Sequence, residues 1–346
     1  MNKEKVTIQD IANSLNLSRN TVSKALNRND SIPESTRNRV IKKAVELKYK
    51  HFAFINNESL PTKKTGNIAL LTSSMPDSSH FGSKLINGLE KKISSEGYNL
   101  SIHIIRQAEI DALILPNNFE LKNVDGIVCI ELFNKAYTKL INNLEIPTIF
   151  IDCTADIFYP DLNTDILLME NEHSTYSLTK KLINSGHTEI GFVGDYKHCK
   201  SFNERWIGFN RALIESNLKL DLSFCITEDN KFPYVSPNWI NSQLDAIDKL
   251  PSAFICANDF VAIALIKALK SKNIKIPEDI LITGFDDSPE SRIIDPHLTT
   301  VHIYSNEMGA IAADLILSRL RNPSKPVQIT HVKTKLIFRE STGNII

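Results

Sequence analysis

The segment LSRNTVSKALN, residues 17–27, carries side chains that could hydrogen-bond to DNA bases. In a helix, which turns by about 100° per residue, its apolar side chains fall on one face. The opposite face then presents Arg19, Asn20, Ser23 and Lys24, with no carboxylate among them. Arginine and lysine can donate to guanine O6 and N7, and asparagine can form two hydrogen bonds with adenine. This pattern favours a helix in the major groove over an ordinary surface helix, which would mix both charges.

Three short helices are expected to hold that donor face in place. Thr7 can cap a helix that begins near Ile8, and Ser18 can cap the helix with the donor face. Pro33 suits the start of a third helix, because its missing N–H would be unpaired there in any case. Only residues 16–17 separate the first two helices. A helix, a very short turn, a second helix and a supporting helix form a helix-turn-helix DNA reader.

Charge along the 346-residue chain is uneven, although its sum is zero. Residues 1–65 hold 13 basic and 6 acidic residues, a net charge of about +7, and the remainder balances it with about −7. A basic region on an acidic body points to a polyanionic partner, although chance clustering of lysines gives the same asymmetry. Thr21 lies at the edge of the donor face, where its hydroxyl can reach a DNA phosphate.

The pattern changes after a polar stretch that contains Pro61. Four short apolar runs in residues 67–152 alternate with helix-like stretches, and residues 189–287 hold a second series of four. Such alternation predicts parallel sheets covered by helices, and two series predict two lobes with a cleft between them. No apolar run approaches the roughly 18 residues that span a bilayer, and the N-terminus is charged, so a cytoplasmic protein is expected.

Residues 6–49 resemble the N-terminal DNA-binding segment of the lactose/galactose-repressor family of bacterial transcription regulators. The stretch TVSKALN, and TR shortly after it, are specific marks of that family. Four later segments, ERWIGF, CANDFVAI, GFDDSPESRIIDPHLTTV and FRESTG, also resemble family landmarks. The resemblance therefore extends over nearly the whole chain.

The resemblance implies an all-α helix-turn-helix domain, followed by an α/β effector domain with two lobes like the periplasmic sugar-binding proteins. It places the DNA-binding domain at residues 1–50, a hinge or linker at 51–65 and the effector domain at 66–346. Lobe 1 would comprise about 66–168 and 303–321, and lobe 2 about 169–302 and 322–346, with crossings near 166–172, 288–302 and 321–327.

The resemblance also implies the partners. The protein would bind double-stranded, near-palindromic operator DNA as a homodimer or sometimes a tetramer. The homodimer is favoured, because no tetramerising heptad pattern follows FRESTGNII. It would repress genes of sugar or nucleoside metabolism in response to a small-molecule effector, such as a sugar or a sugar derivative. No cofactor, metal ion, catalytic residue or membrane contact is expected. The sign of the response, inducer or co-repressor, stays open.

The resemblance also assigns roles to the residues of this chain that match the family's functional positions. Arg19, Asn20 and Lys24 would contact the bases. The predicted DNA-contacting residues are Thr7, Ser18, Arg19, Asn20, Thr21, Ser23, Lys24 and Asn27. The predicted effector-binding residues are Asp152, Arg205, Asn258 and Asp286. Each of these four follows a strand or begins a helix, where open α/β sheets bind ligands.

The chemical types of the predicted effector-binding residues suit a ligand site even apart from the resemblance to the family. Arg205 offers a planar fork of donors and Asp286 offers two acceptors, which suit a polyhydroxylated ligand or a heterocycle. Two plainer interpretations stay open. Asp286 and Asp287 could cap the following turn. Arg205 could instead form a surface ion pair with Glu204 or Glu215. Candidates for an aromatic wall against a sugar face are Phe81, Tyr234 and Trp239.

One region departs from the family pattern. The family hinge is a short helix whose leucine wedges into the minor groove at the operator centre. Glu58 stands in the position of that leucine, and the negative potential of the groove would repel its carboxylate. Leu60 would substitute only with a shift of register. Phe52, Phe54 or Ile55 could serve instead as the wedge or as a dimer contact.

Two other functions are weaker hypotheses. An enzyme with a DNA-binding head, such as a regulatory sugar kinase, would need a glycine-rich phosphate loop, and the segments VGD and TGFDD are too sparse. No Ser-His-Asp, CxxC or HExxH arrangement is found, and His173, His187 and His198 lack metal-ligand spacing. A purely architectural DNA-binding protein would not need convergent polar groups in a cleft. A ligand-controlled transcription regulator is the leading hypothesis.

Overall fold

The computed structural model describes residues 6–27, 32–47, 49, 66–75, 81–229 and 232–343. The chain divides into two compact units, Met1–Lys63 and Lys64–Ile346. The predicted hinge at 51–65 lies outside the described residues, and so do all of its candidate wedge residues.

The first unit contains the three helices that the sequence predicts. They are α1 (Ile8–Leu15), α2 (Arg19–Leu26) and α3 (Glu34–Glu46). Thr7 and Asp10 cap α1 reciprocally, Ser18 caps α2, and the carbonyl of Pro33 accepts from the first turn of α3. Asn16 adopts a left-handed conformation at φ 51°, which ends α1 and lets the chain turn into α2. The core of this unit buries Ile11, Ala12, Val22, Ala25, Leu26, Val40 and Ala44.

The second unit begins with a parallel sheet whose two faces are both covered. Its strands are β1 (Gly66–Thr72), β2 (Tyr98–Ile104), β3 (Gly126–Ile130), β4 (Thr148–Ile151), β5 (Asp165–Met169) and β10 (Ile329–Val332), in the order β10-β5-β4-β3-β1-β2. Its helices are α4 (Phe81–Ser95), α5 (Gln107–Ala112), α6 (Lys135–Asn142) and α11 (Ser305–Arg321). Successive residues of β1 enter two different cores, because side chains alternate across a strand: Ile68 joins the α4 and α11 side, and Ala69 joins the α6 side.

A second, smaller parallel sheet forms the other lobe. Its strands are β6 (Ile190–Val193), β7 (Ala253–Cys256) and β8 (Leu281–Thr283), in that order. Around it lie α7 (Glu172–Asn184), α8 (Lys200–Glu215), α9 (Pro237–Asp245), α10 (Asp259–Ser271) and the antiparallel ribbon of β9 (Thr300–His302) and β11 (Lys335–Ile337). The run FCITE, residues 224–228, is one of the four apolar runs from which strands are predicted in residues 189–287, but it forms only a bridge between Ile226 and Val193. The two-lobed α/β architecture is as predicted.

The chain passes between the lobes at three places, residues 170–171, 303–304 and 333–334. The sequence predicts residues 322–346 in lobe 2, and this is wrong for β10. That strand pairs with β5 in the sheet of lobe 1, so the third crossing follows β10 and does not lie at 321–327. The physical reason is that β10 is a short, largely exposed edge strand, and its sequence pattern does not specify which sheet it joins.

Glycine lets α7 and α8 come into backbone contact. A Cβ at Gly208 of α8 would overlap the carbonyl oxygen of Glu172 in α7. Gly88 and Gly309 play the same part between α4 and α11. The position of α8 is therefore set by backbone packing one turn after Arg205.

Gly208→Ala is expected to lower the free energy of unfolding by about 1–3 kcal/mol, because the added methyl group forces α7 and α8 apart. At a helix position with open space around it, the same change would raise the free energy of unfolding by about 1 kcal/mol. The sign of the change in the free energy of unfolding therefore distinguishes close backbone packing from an open position. Denaturant titration measures the free energy of unfolding. The control is Ile207→Ala on the same helix, where the side chain is 43 % exposed. A more stable Gly208→Ala variant would contradict this packing.

Candidate functional site

The outer face of α2 presents the predicted donors. Arg19, Asn20 and Lys24 are exposed, Ser23 is half-buried, and Val22 on the opposite face is fully buried. Among the described residues, no hydrogen bond or ion pair engages the side chains of the three exposed residues. The first turn of α2 holds no acidic residue. The face can therefore approach DNA with its donors available.

The start of α2 is fixed by a pair of hydroxyl groups. Ser18 Oγ accepts from the backbone N–H of Thr21 at 3.0 Å and lies 2.8 Å from Thr21 Oγ1. Thr21 is half-buried, so a phosphate contact would share its hydroxyl with Ser18. Thr7 and Asn27 are exposed at the start of α1 and the end of α2. All eight predicted DNA-contacting residues are described, and none is fully buried.

A cavity of about 210 Å³ lies between the two lobes, and all four predicted effector residues line it. Asp152 reaches it from lobe 1. Arg205, Asn258 and Asp286 reach it from lobe 2. The carboxyl ends of the parallel strands of both lobes meet at this cavity, which is where open α/β sheets bind ligands.

Arg205 forms the buried centre of the cavity wall, with a side chain that is only 3 % exposed. Its Nε donates to Asn171 Oδ1 at 2.9 Å, and its Nη1 donates to the carbonyl oxygen of Ala257 at 2.5 Å. Its Nη2 lies 3.6 Å from Asp286 Oδ1. The guanidinium carbon lies 3.6 Å from the centroid of the Phe285 ring. Every face of the cation thus has a partner, as a buried charge requires.

The surface ion pair considered for Arg205 does not form. Glu215 pairs with Arg211 at 2.9 Å, and Glu204 accepts from Asn171 at 2.9 Å. Arg205 therefore belongs to the cavity and not to the exposed side of α8.

Asp286 and Asp287 have different surroundings. Asp286 lines the cavity, whereas Asp287 is buried and bound by Arg292, Arg339 and His302. Those hydrogen bonds and charges hold the pKa of Asp287 below its usual range although burial opposes them. Behind this loop, burial and then the charge of Asp286 raise the pKa of Asp259 to about 8. Asp287 is thus held by three side chains of the surrounding loop and strands, whereas Asp286 faces the cavity.

Three carboxylate residues of the cavity share an uncommon backbone conformation. Glu131 directly follows β3 with φ 56°, Asp152 directly follows β4 with φ 61°, and Asp286 lies just beyond β8 with φ 118°. Residues other than glycine seldom adopt positive φ, and such conformations cluster at ligand sites. Sequence reasoning missed Glu131, although its position directly after an apolar strand was the available signal.

Two of the polar residues also hold helix ends. Asp152 Oδ1 accepts from the backbone N–H groups of Cys153 at 2.7 Å and Ser201 at 3.3 Å. Burial raises the pKa of Asp152, and these hydrogen bonds oppose the shift. Asn258 caps α10, because its Oδ1 accepts from Val261 N at 3.0 Å, which leaves its amide nitrogen for a ligand.

Aromatic side chains form part of the wall. Phe81 and Tyr234 line the cavity, whereas Trp239 does not and packs edge-on against Tyr234 at 4.8 Å. Phe133 and His198 also line the cavity with ring centroids 4.5 Å apart, and burial lowers the pKa of His198. Sequence reasoning missed this pair, because both residues lie in loops without a periodic pattern.

Within the described ranges, no group of three or more His, Cys, Asp or Glu side chains could hold a metal ion. No helix in those ranges has both the length and the apolar character that a membrane crossing requires.

Two family models match separate parts of the chain. Residues 7–51 match the model of bacterial regulatory proteins of the lacI family, and residues 179–342 match a periplasmic binding protein-like domain. The chain is 28 % identical over 346 residues to the HTH-type transcriptional repressor PurR of Aliivibrio salmonicida, covering 98 % of this chain and 99 % of the relative. The first match contains the donor face, and the second contains most of the cavity residues.

Solved structures show the same fold. The transcriptional regulator CelR in complex with cellobiose superposes with a TM-score of 0.69 at 22 % identity, over 97 % of this chain and 99 % of that one. The lac repressor dimer bound to operator and the anti-inducer ONPF superposes with a TM-score of 0.66 at 19 % identity, over 98 % and 99 % of the chains. The chain thus joins a DNA-binding segment of the lacI family of bacterial regulatory proteins to a periplasmic binding protein-like domain, and over nearly its whole length it is similar to a repressor and to regulators that share this fold.

Proposed function

We propose that this protein is a transcriptional repressor that binds operator DNA as a homodimer and changes its DNA affinity when a small molecule occupies the cavity between its lobes. The observation that carries the proposal is the pairing of Arg205 with Asp286 in the wall of a cavity that both lobes line. A ligand that touches both lobes can favour one lobe arrangement over another, within the limit of its differential affinity. The site of action is the bacterial cytoplasm, where operator DNA lies.

The DNA-reading element is α2, with Arg19, Asn20 and Lys24 in the major groove and Thr21 on the backbone. Two copies of α2 in a homodimer would read two half-sites, so the operator is a near-palindrome. A net charge of about +7 over residues 1–65 supplies the phosphate contacts that dominate affinity.

The cavity favours an uncharged effector rich in hydroxyl donors, such as a sugar or a sugar derivative. Arg205 is the only arginine or lysine among its described lining residues, and Asp286 already faces it. Glu131 and Asp152 add two more carboxyl groups. These groups accept hydrogen bonds from hydroxyls and disfavour an anion. The solved CelR complex holds cellobiose, an uncharged disaccharide, which supports this class.

The experiment that tests the function is a selection of operator DNA from random duplexes with the full chain. Fluorescence anisotropy then measures the affinity for the selected duplex with and without each sugar that binds by calorimetry. A repressor of this kind selects a palindromic motif, and its affinity changes when the ligand is present. Binding without sequence preference would contradict the proposal.

Asn20→Ala is expected to relax sequence preference at one symmetric pair of operator positions, since a bidentate base contact provides about 1–3 kcal/mol of discrimination. The matched variant Thr21→Ala should weaken binding to all sequences alike, because phosphate contacts carry no sequence information. Selection and sequencing of bound duplexes measures both effects. If Asn20→Ala selected the wild-type motif, the orientation of α2 would be wrong.

Asp286→Asn is expected to weaken effector binding by about 1.5–3 kcal/mol, because it removes a charged acceptor from a largely buried site. Asp245→Asn, which neutralises an exposed carboxylate paired with Lys272, is the control and should bind normally. Calorimetry measures the affinity, and anisotropy on the selected operator reads the sign of regulation. If Asp286→Asn still binds the operator and added ligand no longer weakens that binding, the cavity is an inducer site. If Asp286→Asn no longer binds the operator when ligand is present, the cavity is a co-repressor site. Normal ligand binding by Asp286→Asn would place the effector elsewhere.

A phosphorylated sugar should bind at least ~10-fold more weakly than its neutral parent, because the phosphate meets the carboxyl groups of the cavity. Ribose with ribose 5-phosphate, and cellobiose with its phosphate ester, form matched pairs for calorimetry. Glu131→Gln should recover part of the lost affinity for the ester only. A phosphate ester that bound more tightly than its parent would overturn the assignment of an uncharged effector.

A further inference from the structure

Glu204 directly precedes Arg205 on α8, and its carboxylate, 16 % exposed, accepts hydrogen bonds from three side chains. Asn171 Nδ2 donates to Oε2 at 2.9 Å. His331 Nε2 lies 2.9 Å from Oε1, and the hydroxyl of Tyr159 donates to the same oxygen at 3.3 Å. One carboxylate thus binds side chains from three separate parts of the chain.

Two of these partners belong to the opposite lobe. Glu204 lies in lobe 2, whereas Tyr159 lies in a 3-10 turn between β4 and β5, and His331 lies in β10, both in lobe 1. The two nearby crossings are themselves tied together, because Thr334 Oγ1 donates to the carbonyl oxygen of Glu170 at 3.1 Å. Glu204 is therefore an attachment between the lobes at the place where the chain crosses from one to the other.

The third partner connects this attachment to the effector cavity. Asn171 is fully buried in the first crossing. Its Oδ1 accepts from Arg205 Nε at 2.9 Å, and its Nδ2 donates to both Glu204 and the carbonyl oxygen of Met169. A displacement of Arg205 must be matched by Asn171, because a buried amide that loses its partners is costly. The shift then reaches the carboxylate of Glu204.

We propose that Glu204 is the positioning residue that couples occupation of the cavity to the arrangement of the lobes. The ligand acts on Arg205, Asn171 transmits the displacement, and Glu204 holds or releases Tyr159 and His331. This inference rests on the proposed function, since it presumes that the effector contacts Arg205. It adds a switch residue that does not itself line the cavity.

The attachment depends on pH through His331. The hydrogen bond to Glu204 is the largest cause that raises the pKa of His331; burial opposes it, and the charges of Glu170 and Glu172 act in the same direction as Glu204. A raised folded pKa means that the ion pair is fully present below the ordinary histidine value of about 6.5 and is lost as pH rises through the raised value. Burial and Glu204 raise the pKa of Tyr159, which stays a neutral donor.

Among the described residues, the thiol of Cys153 interacts electrostatically with Glu204 and also with Lys200 and Asp152. Lys200 Nζ donates to the carbonyl oxygen of Ala155 at 3.0 Å and lies 4.9 Å from the centroid of the Tyr159 ring. Burial raises the pKa of Cys153 to about 12, so the thiol is neutral. His331 is therefore the group around Glu204 whose charge changes near neutral pH.

The test uses the full chain and Glu204→Gln, which preserves size and an acceptor for Asn171 but removes the charge. Hydrogen–deuterium exchange of residues 329–332 and 159–161, corrected for intrinsic rates, is compared at about pH 6 and about pH 8. In the wild type, exchange of residues 329–332 should be roughly threefold faster at the higher pH, because His331 loses its charge. Exchange of residues 159–161 should change less, because Tyr159 stays a neutral donor. In Glu204→Gln, exchange of both segments should be fast at both pH values.

Two further variants separate the coupling from general destabilisation. Glu215→Gln removes another carboxylate of α8, which is bound by Arg211 and Tyr176, and should exchange like the wild type. His331→Gln removes the titrating group and should make the exchange independent of pH. Wild-type exchange and wild-type pH dependence in Glu204→Gln would overturn the proposal.

The coupling is measured as the ratio of the operator affinities with and without a sugar probe. The probe is ribose or cellobiose, whichever binds the wild type. In Glu204→Gln the ratio of the two affinities should fall towards one, while the Kd for the sugar changes by less than about threefold. An unchanged ratio would overturn the proposal. If neither sugar bound the wild type, the proposed effector class would fail, and the exchange result would still decide whether Glu204 joins the lobes.

Discussion

The buried guanidinium of Arg205 is the constraint on which the rest of the second unit depends. Its partners come from three segments, the crossing at Asn171, the end of β7 at Ala257 and the loop after β8 at Asp286. A cation that is 3 % exposed is tolerated only while all of these acceptors stay in place. A ligand that removes one of them must provide a replacement, so binding and backbone arrangement are linked at this point.

The scaffold around this cation is suited to hold it in place. Gly208 brings α8 into backbone contact with α7, and Asp152 binds the N-terminal turn of α8 from the opposite lobe. The start and the middle of α8 are therefore fixed by different elements. Motion of one lobe against the other reaches Arg205 through Asp152, which binds the first turn of α8, and through Glu204, which directly precedes Arg205.

The sequence predicts the first unit well because its signals are local. The caps at Thr7 and Ser18 and the donor face of α2 follow from residue type and helical period, and the structure shows them. The placement of β10 and the role of Asn171 follow from pairings between residues far apart in the chain, which periodicity does not encode. Within the cavity, strand-end positions were recognisable for Asp152, whereas the loop residues Phe133 and His198 gave no pattern.

Asp286 and Asp287 show why residue type alone does not assign a role. Both adopt positive φ, and this turn directs the first carboxylate to the cavity and the second to Arg292, Arg339 and His302. The three cationic or titratable partners anchor the loop to β9 and to the C-terminal segment. The lobe 2 wall is therefore preorganised, which lowers the cost of ordering it on binding. Asp152 and Glu131 line the same cavity from lobe 1, so a ligand that contacts them as well as Asp286 would bridge the two lobes and favour the arrangement in which both sides are within reach.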